Sequence, residues 1–172
     1  MQAVISGLHL IGITFWVSSI FVNTVVLMPS MEAISPAERG KLMGAFLKRF
    51  TPLDLAAIIL VVITGLISTN SIIGFSGLVS FQTAYGNILL AKIIVVTVMI
   101  LNGAYLGFVL GPRIAAFAPP PGAPEPAGSG GGDPAPGPPP ELLRLQRRMA
   151  TLSWVQVGLA VVVLLLVVLL TT

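Results

Sequence analysis

Four long runs of apolar residues, separated by more polar stretches, divide the sequence. They cover about residues 3–28, 53–74, 86–110 and 150–170. At a rise of about 1.5 Å per residue, about 20 helical residues cross a hydrocarbon layer about 30 Å thick. Backbone amides in lipid must bond within their own segment, which favours helices over open strands. The pattern therefore predicts an all-α fold, a polytopic membrane four-helix bundle.

The stretch between the first two spans contains two helix-start signals. Residues 35–38 form a capping box with proline at the first helical position. Apolar residues at helical spacing follow, so segment 36–50 is predicted to be a short amphipathic helix on the cytoplasmic membrane surface. The signal recurs at residues 51–54, with Asp54 as the acidic capping residue. The second span is therefore predicted to begin there, and a buried functional carboxylate is the alternative interpretation of Asp54.

A Pro/Gly/Ala tract at residues 119–140 interrupts the helical pattern. It lacks apolar periodicity and cannot bury enough surface to offset the entropy of ordering, which predicts a disordered cytoplasmic linker. The linker is a plain tether or a Pro-rich docking motif. The predicted organisation is a single membrane domain in which residues 1–118 carry three spans and residues 141–172 carry the fourth.

Positive charge is placed on one side of the predicted spans. The basic loop residues are Arg39, Lys41, Lys48, Arg49, Arg113, Arg144, Arg147 and Arg148. The loop at residues 75–85 carries no charge. Because basic loops stay cytoplasmic, both termini and the loop at 75–85 are predicted to face outward.

Composition removes several classes of function. The 172 residues include no cysteine and only 9% charged residues, so disulfides and thiolate metal sites are excluded. The sequence has no stripe of basic and interleaved aromatic residues of the kind that binds nucleic acid. The lipid bilayer is the expected environment. The first span lacks a basic n-region and a small-residue cleavage site, so we expect a retained helix rather than a signal peptide.

His9, the single histidine, lies about six residues into the first span. A helical wheel places Gly12, Trp16 and Asn23 within about 60° of it. Small and polar residues on one face usually point at neighbouring helices, so His9 is predicted to face inward. A neutral imidazole there can bind copper or a haem iron, or relay protons. The alternatives are a histidine hydrogen-bonded to a neighbouring helix and one at the interface.

Lys92 is the other unusual residue, about six residues or ~9 Å into the third span. An ammonium at mid-bilayer costs about 2.5–3.5 kcal/mol, and intramembrane charges are often functional. Alternatively, the aliphatic part of the Lys92 side chain can extend toward the membrane surface and place the ammonium among the lipid headgroups. Met99 and Gly103 lie within about 20° of Lys92 on the wheel, and Gly103 and Gly107 form a close-packing pattern. We therefore predict that Lys92 faces inward and that this face is packed against another helix.

His9 and Lys92 are predicted to lie at one level in the outer half of the membrane. Ser68, Asn70 and Asn87 are predicted to complete that layer. Such a cluster can hold an anionic group, such as a haem propionate or a small carboxylate, or guide an ion inward. It can equally be a hydrogen-bonded plug that fixes the register of the helices.

A copper site within this layer would need additional ligands. Copper(I) prefers sulfur, and Met99 lies about two turns below His9. One imidazole makes a poor copper cage, so a second copy of the chain or a partner protein would supply the remaining ligands. No catalytic residue is predicted.

The first and third spans resemble those of the copper resistance protein D (CopD) family. The resemblance rests on Leu8-His9, Phe15-Trp16 and Leu27-Met28-Pro29, and on the stretch from Thr83 to Lys92, which is similar to the family's third-helix signature T-x-Y-G-x-x-L-L-x-K. Thr64-Gly65 also fits the family pattern. The resemblance covers roughly residues 5–115 and implies a bacterial inner-membrane domain of four helices, associated with copper uptake or delivery to the periplasm and with other membrane or periplasmic copper proteins.

The chain is also similar to HemJ-type protoporphyrinogen oxidases, which have an early histidine in the first helix and a lysine in the third. That resemblance implies haem b as cofactor, with His9 as its ligand and Lys92 as a contact to substrate or haem. A third hypothesis is a non-catalytic accessory subunit packed against a larger membrane complex, which the sparse site favours.

Overall fold

The computed structural model describes residues 1–34, 36–74, 83–117 and 139–171, and within these ranges the chain is helical and contains no strand. Four helices in these ranges are long and apolar enough to cross a membrane. They are α1 (Gln2–Ser30), α2 (Pro36–Ile72), α3 (Ala84–Ala115) and α4 (Pro140–Thr171). The prediction of an all-α protein that crosses the membrane several times is confirmed. The predicted linker lies outside the described residues except for its last two positions.

Two of the four helices widen into π-helical turns near the same end. The π-helical turns are Val22–Leu27 in α1 and Leu106–Leu110 in α3. Each turn ends two residues before a proline, Pro29 or Pro112. Proline has no N–H to donate and its ring clashes with the carbonyl four residues earlier, so a widened turn before it relieves that clash.

The second span does not start where the sequence indicated. Segment 36–50 is helical as predicted, but it continues without interruption into the second span, and Pro52 lies inside the single helix α2. The capping signal at residues 51–54 therefore starts no helix, and Ser35, the cap of the first signal, lies outside the described residues. A membrane helix tolerates an internal proline because one lost backbone bond costs less than ending the helix in lipid.

The helices that flank the gap at residues 75–82 have defined ends. Gly74 has φ 66°, a left-handed conformation that favours glycine, just beyond the end of α2. Thr83 caps α3, because its Oγ1 accepts a 3.1 Å hydrogen bond from the Gly86 N–H.

A shared core joins all four helices. Helix α1 packs against α2, α3 packs against α4, and α1 also contacts α4. The buried core residues are Trp16, Val17, Ile20, Ala57, Met99, Val157, Ala160 and Val163. Met99 is fully buried at its centre.

The close approach of α1 and α2 depends on Gly12. A Cβ at this position would lie 2.9 Å from Val61 Cγ2 and 3.4 Å from the Ala57 carbonyl oxygen. The predicted close-packing pair is different: a Cβ on Gly103 would come only to 3.8 Å from the Gln156 amide, and one on Gly107 would meet no described atom within 4 Å. Within the described chain Gly103 is therefore in ordinary contact with α4 and Gly107 makes no close contact, so the tightest approach of two helices does not lie at this pair.

A polar network joins α3 to α4. The buried Gln156 donates to the Met99 carbonyl at 3.0 Å and accepts from the Asn102 amide at 2.7 Å. Asn102 also donates to the Leu152 carbonyl at 3.1 Å. This network was not predicted, since Gln156 stands among apolar residues with no repeating polar pattern.

Candidate functional site

Helices α1 and α2 hold His9 and Thr64 opposite each other. The two atoms His9 Nδ1 and Thr64 Oγ1 are 2.8 Å apart. His9 is seven residues from the start of α1 and Thr64 is eight from the end of α2, so both lie about 10–12 Å from one end of the molecule. We call this the terminal end, because α1 begins there and α4 ends there. The inward direction predicted for His9 is the one observed.

The hydrogen bonds of Thr64 favour one tautomer of His9. The Thr64 hydroxyl has one hydrogen, which it donates to the Leu60 carbonyl one turn earlier in α2. Its oxygen can then accept the hydrogen of an imidazole protonated at Nδ1. This arrangement favours the Nδ1–H tautomer of the neutral imidazole, in which the lone pair is on Nε2.

Gly65 makes room for the imidazole. A Cβ at this position would lie 3.2 Å from His9 Cε1, closer than most side chains tolerate. Thr64 binds the ring and Gly65 accommodates it, so two successive residues of α2 determine where His9 lies. The sequence analysis had noted this pair only as part of a family pattern.

His9 and Lys92 line one cavity of about 370 Å³, which we call the His9 cavity. All four helices contribute to its wall, and the lining residues include His9, Trp16, Ser68, Tyr85, Lys92 and Met99. Lys92 lies eight residues from the start of α3, about 12 Å deep and therefore level with His9 and Thr64. Its side chain is partly buried and turned into the cavity, which is the inward direction predicted.

Not all residues of the predicted layer meet. Trp16, Ser68 and Met99 line the cavity with His9 and Lys92. Asn70 and Asn87 are exposed and absent from the cavity wall, so the structure does not place them in the layer. They were predicted in the layer by depth alone; at about 100° per residue Asn70 points about 160° away from Ser68, and Asn87 about 140° away from Lys92, so both face away from the cavity.

Three polar residues of the cavity wall were not predicted: Thr69, Tyr85 and Thr97. Tyr85 lines the cavity near the terminal end, and so does Thr69, whose hydroxyl donates to the Gly65 carbonyl at 2.9 Å. Thr69 lies four residues after Gly65, so the two share a face of α2; that spacing was the signal that could have found it.

The donor set allows only an incomplete metal site. No group of three or more His, Cys, Asp or Glu side chains that could hold a metal occurs among the described residues. The His9 cavity offers His9 Nε2 and the thioether of Met99, which suit a soft metal ion. The ammonium of Lys92 in the same cavity opposes a bare cation and suits an anion.

Asp54 does not cap a helix but bonds to α1. The Ser19 hydroxyl is 2.6 Å from Asp54 Oδ1 and 2.7 Å from the Trp16 carbonyl oxygen, and it can donate its one hydrogen to either acceptor. This pair lies about ten residues from the pair of His9 and Thr64 on both helices, and neither Ser19 nor Asp54 lines the His9 cavity. Asp54 therefore belongs to the contact between α1 and α2.

Basic residues are gathered at the opposite end, which we call the basic end. The exposed ones among the described side chains are Lys48, Arg49, Arg113, Arg144, Arg147 and Arg148. The Arg148 guanidinium carbon lies 5.4 Å from the centre of the Tyr105 ring, a cation–π contact between α4 and α3.

Comparison with protein families gives one match. The family model described as copper resistance protein D matches residues 44–170. The match includes Thr64, Lys92 and the whole described apolar part of α4, but begins after α1, so it does not include His9. Comparison with curated proteins and with solved structures found no match.

Proposed function

Because this multi-pass membrane protein belongs to the copper resistance protein D family, we propose that it takes up or handles copper at the His9 cavity. The matched segment covers most of the chain, including three of the four spanning helices. Copper is the substrate in this proposal, and the protein carries out no covalent chemistry on it.

The observation that carries the proposal is the direction of the His9 lone pair. Thr64 holds the Nδ1–H, which leaves Nε2 as a neutral nitrogen donor. Metal-binding histidines usually donate their other N–H to a neighbouring acceptor, which fixes the ring and increases its basicity. Thr64 supplies that acceptor before any metal arrives.

The remaining copper ligands are proposed to come from Met99 and from outside the chain. Met99 supplies a soft sulfur at the inner part of the cavity wall. Further ligands would come from a second copy of the chain or from a periplasmic or membrane copper protein. A copper ion held by two donors of this chain, whose remaining ligands a partner supplies, suits a protein that passes copper on.

The basic end supports the orientation in a bacterial inner membrane. Six exposed Lys and Arg side chains lie there, and positive charge stays on the cytoplasmic side. The terminal end, with the His9 cavity about 12 Å from it, then faces the periplasm, and both chain termini lie outside. Copper would enter the cavity from that side.

Copper content and absorbance of the purified protein test the proposal. The protein in lipid nanodiscs is loaded with copper(I), and bound metal is measured by competition with a coloured chelator. We expect stoichiometric copper in the unchanged chain and its loss in His9→Ala. The matched control Met43→Leu, at the basic end, should retain copper. Equal copper binding by the unchanged chain and His9→Ala would contradict the assignment.

The same sample decides between copper and haem. The shared cavity of His9 and Lys92 is the observation that favours a haem-binding oxidase as the second candidate. A Soret band that disappears in His9→Ala would support haem b at this histidine. Absence of both cofactors, with other subunits co-purifying stably, would support the accessory role.

A further inference from the structure

The His9 cavity is elongated and its polarity changes along its length. On α3 it extends from Tyr85 to Ile100, about 22 Å of helix. The half near the terminal end contains polar side chains beside apolar ones; the polar ones are His9, Ser68, Thr69, Tyr85 and Lys92, and the apolar ones are Leu66, Ile72, Leu89 and Leu170. The other half is lined mainly by apolar side chains: Ile13, Trp16, Val17, Val61, Val96 and Met99.

The hydroxyl of Thr97 lies in the apolar half but is already hydrogen-bonded, so that half remains apolar. Thr97 lines the cavity there, but its hydroxyl donates to the Ile93 carbonyl of its own helix at 2.8 Å. One half of the cavity wall therefore carries the charged and polar side chains, and the other half is mainly apolar. Such a wall matches an amphiphile, which has a polar head and an apolar tail.

The charge in the polar part is positive and has no acidic neighbour in the cavity wall. No described Asp or Glu side chain lines the cavity, whereas Lys92 does. Asp54, the intramembrane carboxylate among the described residues, is bonded to Ser19 far along α2. An ammonium in a weakly polar environment attracts an anion strongly, because little water screens its charge.

We propose that the His9 cavity binds a single-chain amphiphile, with a carboxylate head group at Lys92 and an acyl tail that reaches toward Met99. The volume of about 370 Å³ lies at the lower end of the range for small-molecule sites, which suits one acyl chain rather than a two-chain phospholipid. The proposal does not depend on copper, since Lys92 and the apolar wall carry it.

Fluorescence of Trp16 tests the proposal directly. The chain has two tryptophans; Trp16 lines the apolar half of the cavity, and Trp154 is 58% exposed and does not line it. In Trp154→Phe, Trp16 is the remaining reporter, and in Trp16→Phe it is Trp154. Dodecanoate brominated at its last carbons quenches a tryptophan that it contacts. In phosphatidylcholine nanodiscs we expect saturable quenching of Trp16 that unbrominated dodecanoate reverses.

Charge selectivity is tested with variants of Lys92 in the Trp154→Phe chain. Lys92→Met should weaken probe binding about tenfold or more, the factor for losing one hydrogen-bonded charge pair, and Lys92→Arg should retain it. The matched control Lys48→Met, exposed at the basic end, should bind like the unchanged chain. Circular dichroism of each variant confirms that the helices are intact.

Competing amphiphiles identify the head group. Dodecyltrimethylammonium should not displace the probe, because it has the same tail but a positive head. Displacement by phosphatidylglycerol in the nanodisc, without displacement by dodecanoate, would assign the cavity to a phospholipid and overturn the single-chain proposal. Quenching that is unsaturable, or equal in Lys92→Met and the unchanged chain, would also overturn it. Copper binding by His9 is measured separately and stands or falls by itself.

Discussion

Asp54 accepts a 2.6 Å hydrogen bond from Ser19 in the same antiparallel register that brings His9 to Thr64. Ser19 lies ten residues after His9 on α1, and Asp54 lies ten residues before Thr64 on α2. The two pairs are therefore about 15 Å apart along the helices. Two polar contacts therefore fix the register of α1 and α2, one on each side of the close approach at Gly12.

Replacing Thr64 should affect His9 before it affects the fold. Thr64→Val removes the acceptor of Nδ1–H, so we expect the preference for the Nδ1–H tautomer to be lost and copper affinity to fall about 10–100-fold. Because His9 is the single histidine, nitrogen NMR of ¹⁵N-histidine-labelled protein at pH 8 shows its tautomer directly. The matched control is Thr97→Val, whose hydroxyl bonds only within its own helix in the described structure. An unchanged tautomer in Thr64→Val would be evidence against the assigned hydrogen bond.

Ser19→Ala should destabilise the protein more than Asp54→Leu. Removing Ser19 leaves a partly buried carboxyl without its partner, at a cost of about 1–3 kcal/mol. Removing Asp54 lets the Ser19 hydroxyl donate to the Trp16 carbonyl, so the cost should stay near the ~0.6 kcal/mol typical of a hydrogen bond between membrane helices. Unfolding in sodium dodecyl sulfate measures both. Ser18→Ala, the exposed neighbour, should be neutral, and the reverse order of the two costs would contradict the prediction.

Gly12→Ala should separate α1 from α2. The added methyl group would meet Val61 at 2.9 Å and the immobile Ala57 carbonyl at 3.4 Å, and such overpacking costs about 1–3 kcal/mol. The same unfolding measurement gives this cost. Gly7→Ala is the matched control on the same helix, since its Cβ would meet no described atom within 4 Å. Equal stability of the two variants would show that the close approach at Gly12 is not needed.

Gln156→Leu should weaken the contact between α3 and α4. It removes a donor to the Met99 carbonyl and an acceptor for Asn102, and each such bond between membrane helices is worth about 0.6–1.7 kcal/mol. Gln146→Leu, at an exposed position of the same helix, controls for the change in hydrophobicity. Unfolding monitored by circular dichroism should show a loss for Gln156→Leu alone. A gain in stability would mean that packing outweighs the network.

Hydropathy and wheel geometry predicted the spans and the inward direction of two side chains. The four helices follow from the length of apolar sequence, and His9 and Lys92 meet in one cavity because their depth and their wheel positions were readable. Thr64, the partner of His9, was not predictable, since a wheel gives the face of a helix but not the register between two helices. That register depends on contacts such as Ser19 with Asp54, which are distant in sequence.

Short motifs were the weaker part of the sequence evidence. The spacing of Gly103 and Gly107 matched a packing pattern, yet the tight contacts occur at Gly12 and Gly65, which lie in no such pair. The start signal before Asp54 was present, but the helix continues through Pro52. A local signal can be overridden when the surrounding lipid makes a helix end costly.

The uninterrupted α2 is longer than the membrane is thick. Its 37 residues are about 55 Å long, and a hydrocarbon layer takes up about 30 Å of that length. Several helical turns therefore extend beyond the layer. Thr64 lies in the other part of the same helix, eight residues before its end. The helix that projects from the bilayer is therefore the one whose Thr64 orients the imidazole, and Pro52, where one backbone hydrogen bond is missing, lies between the projecting turns and that threonine.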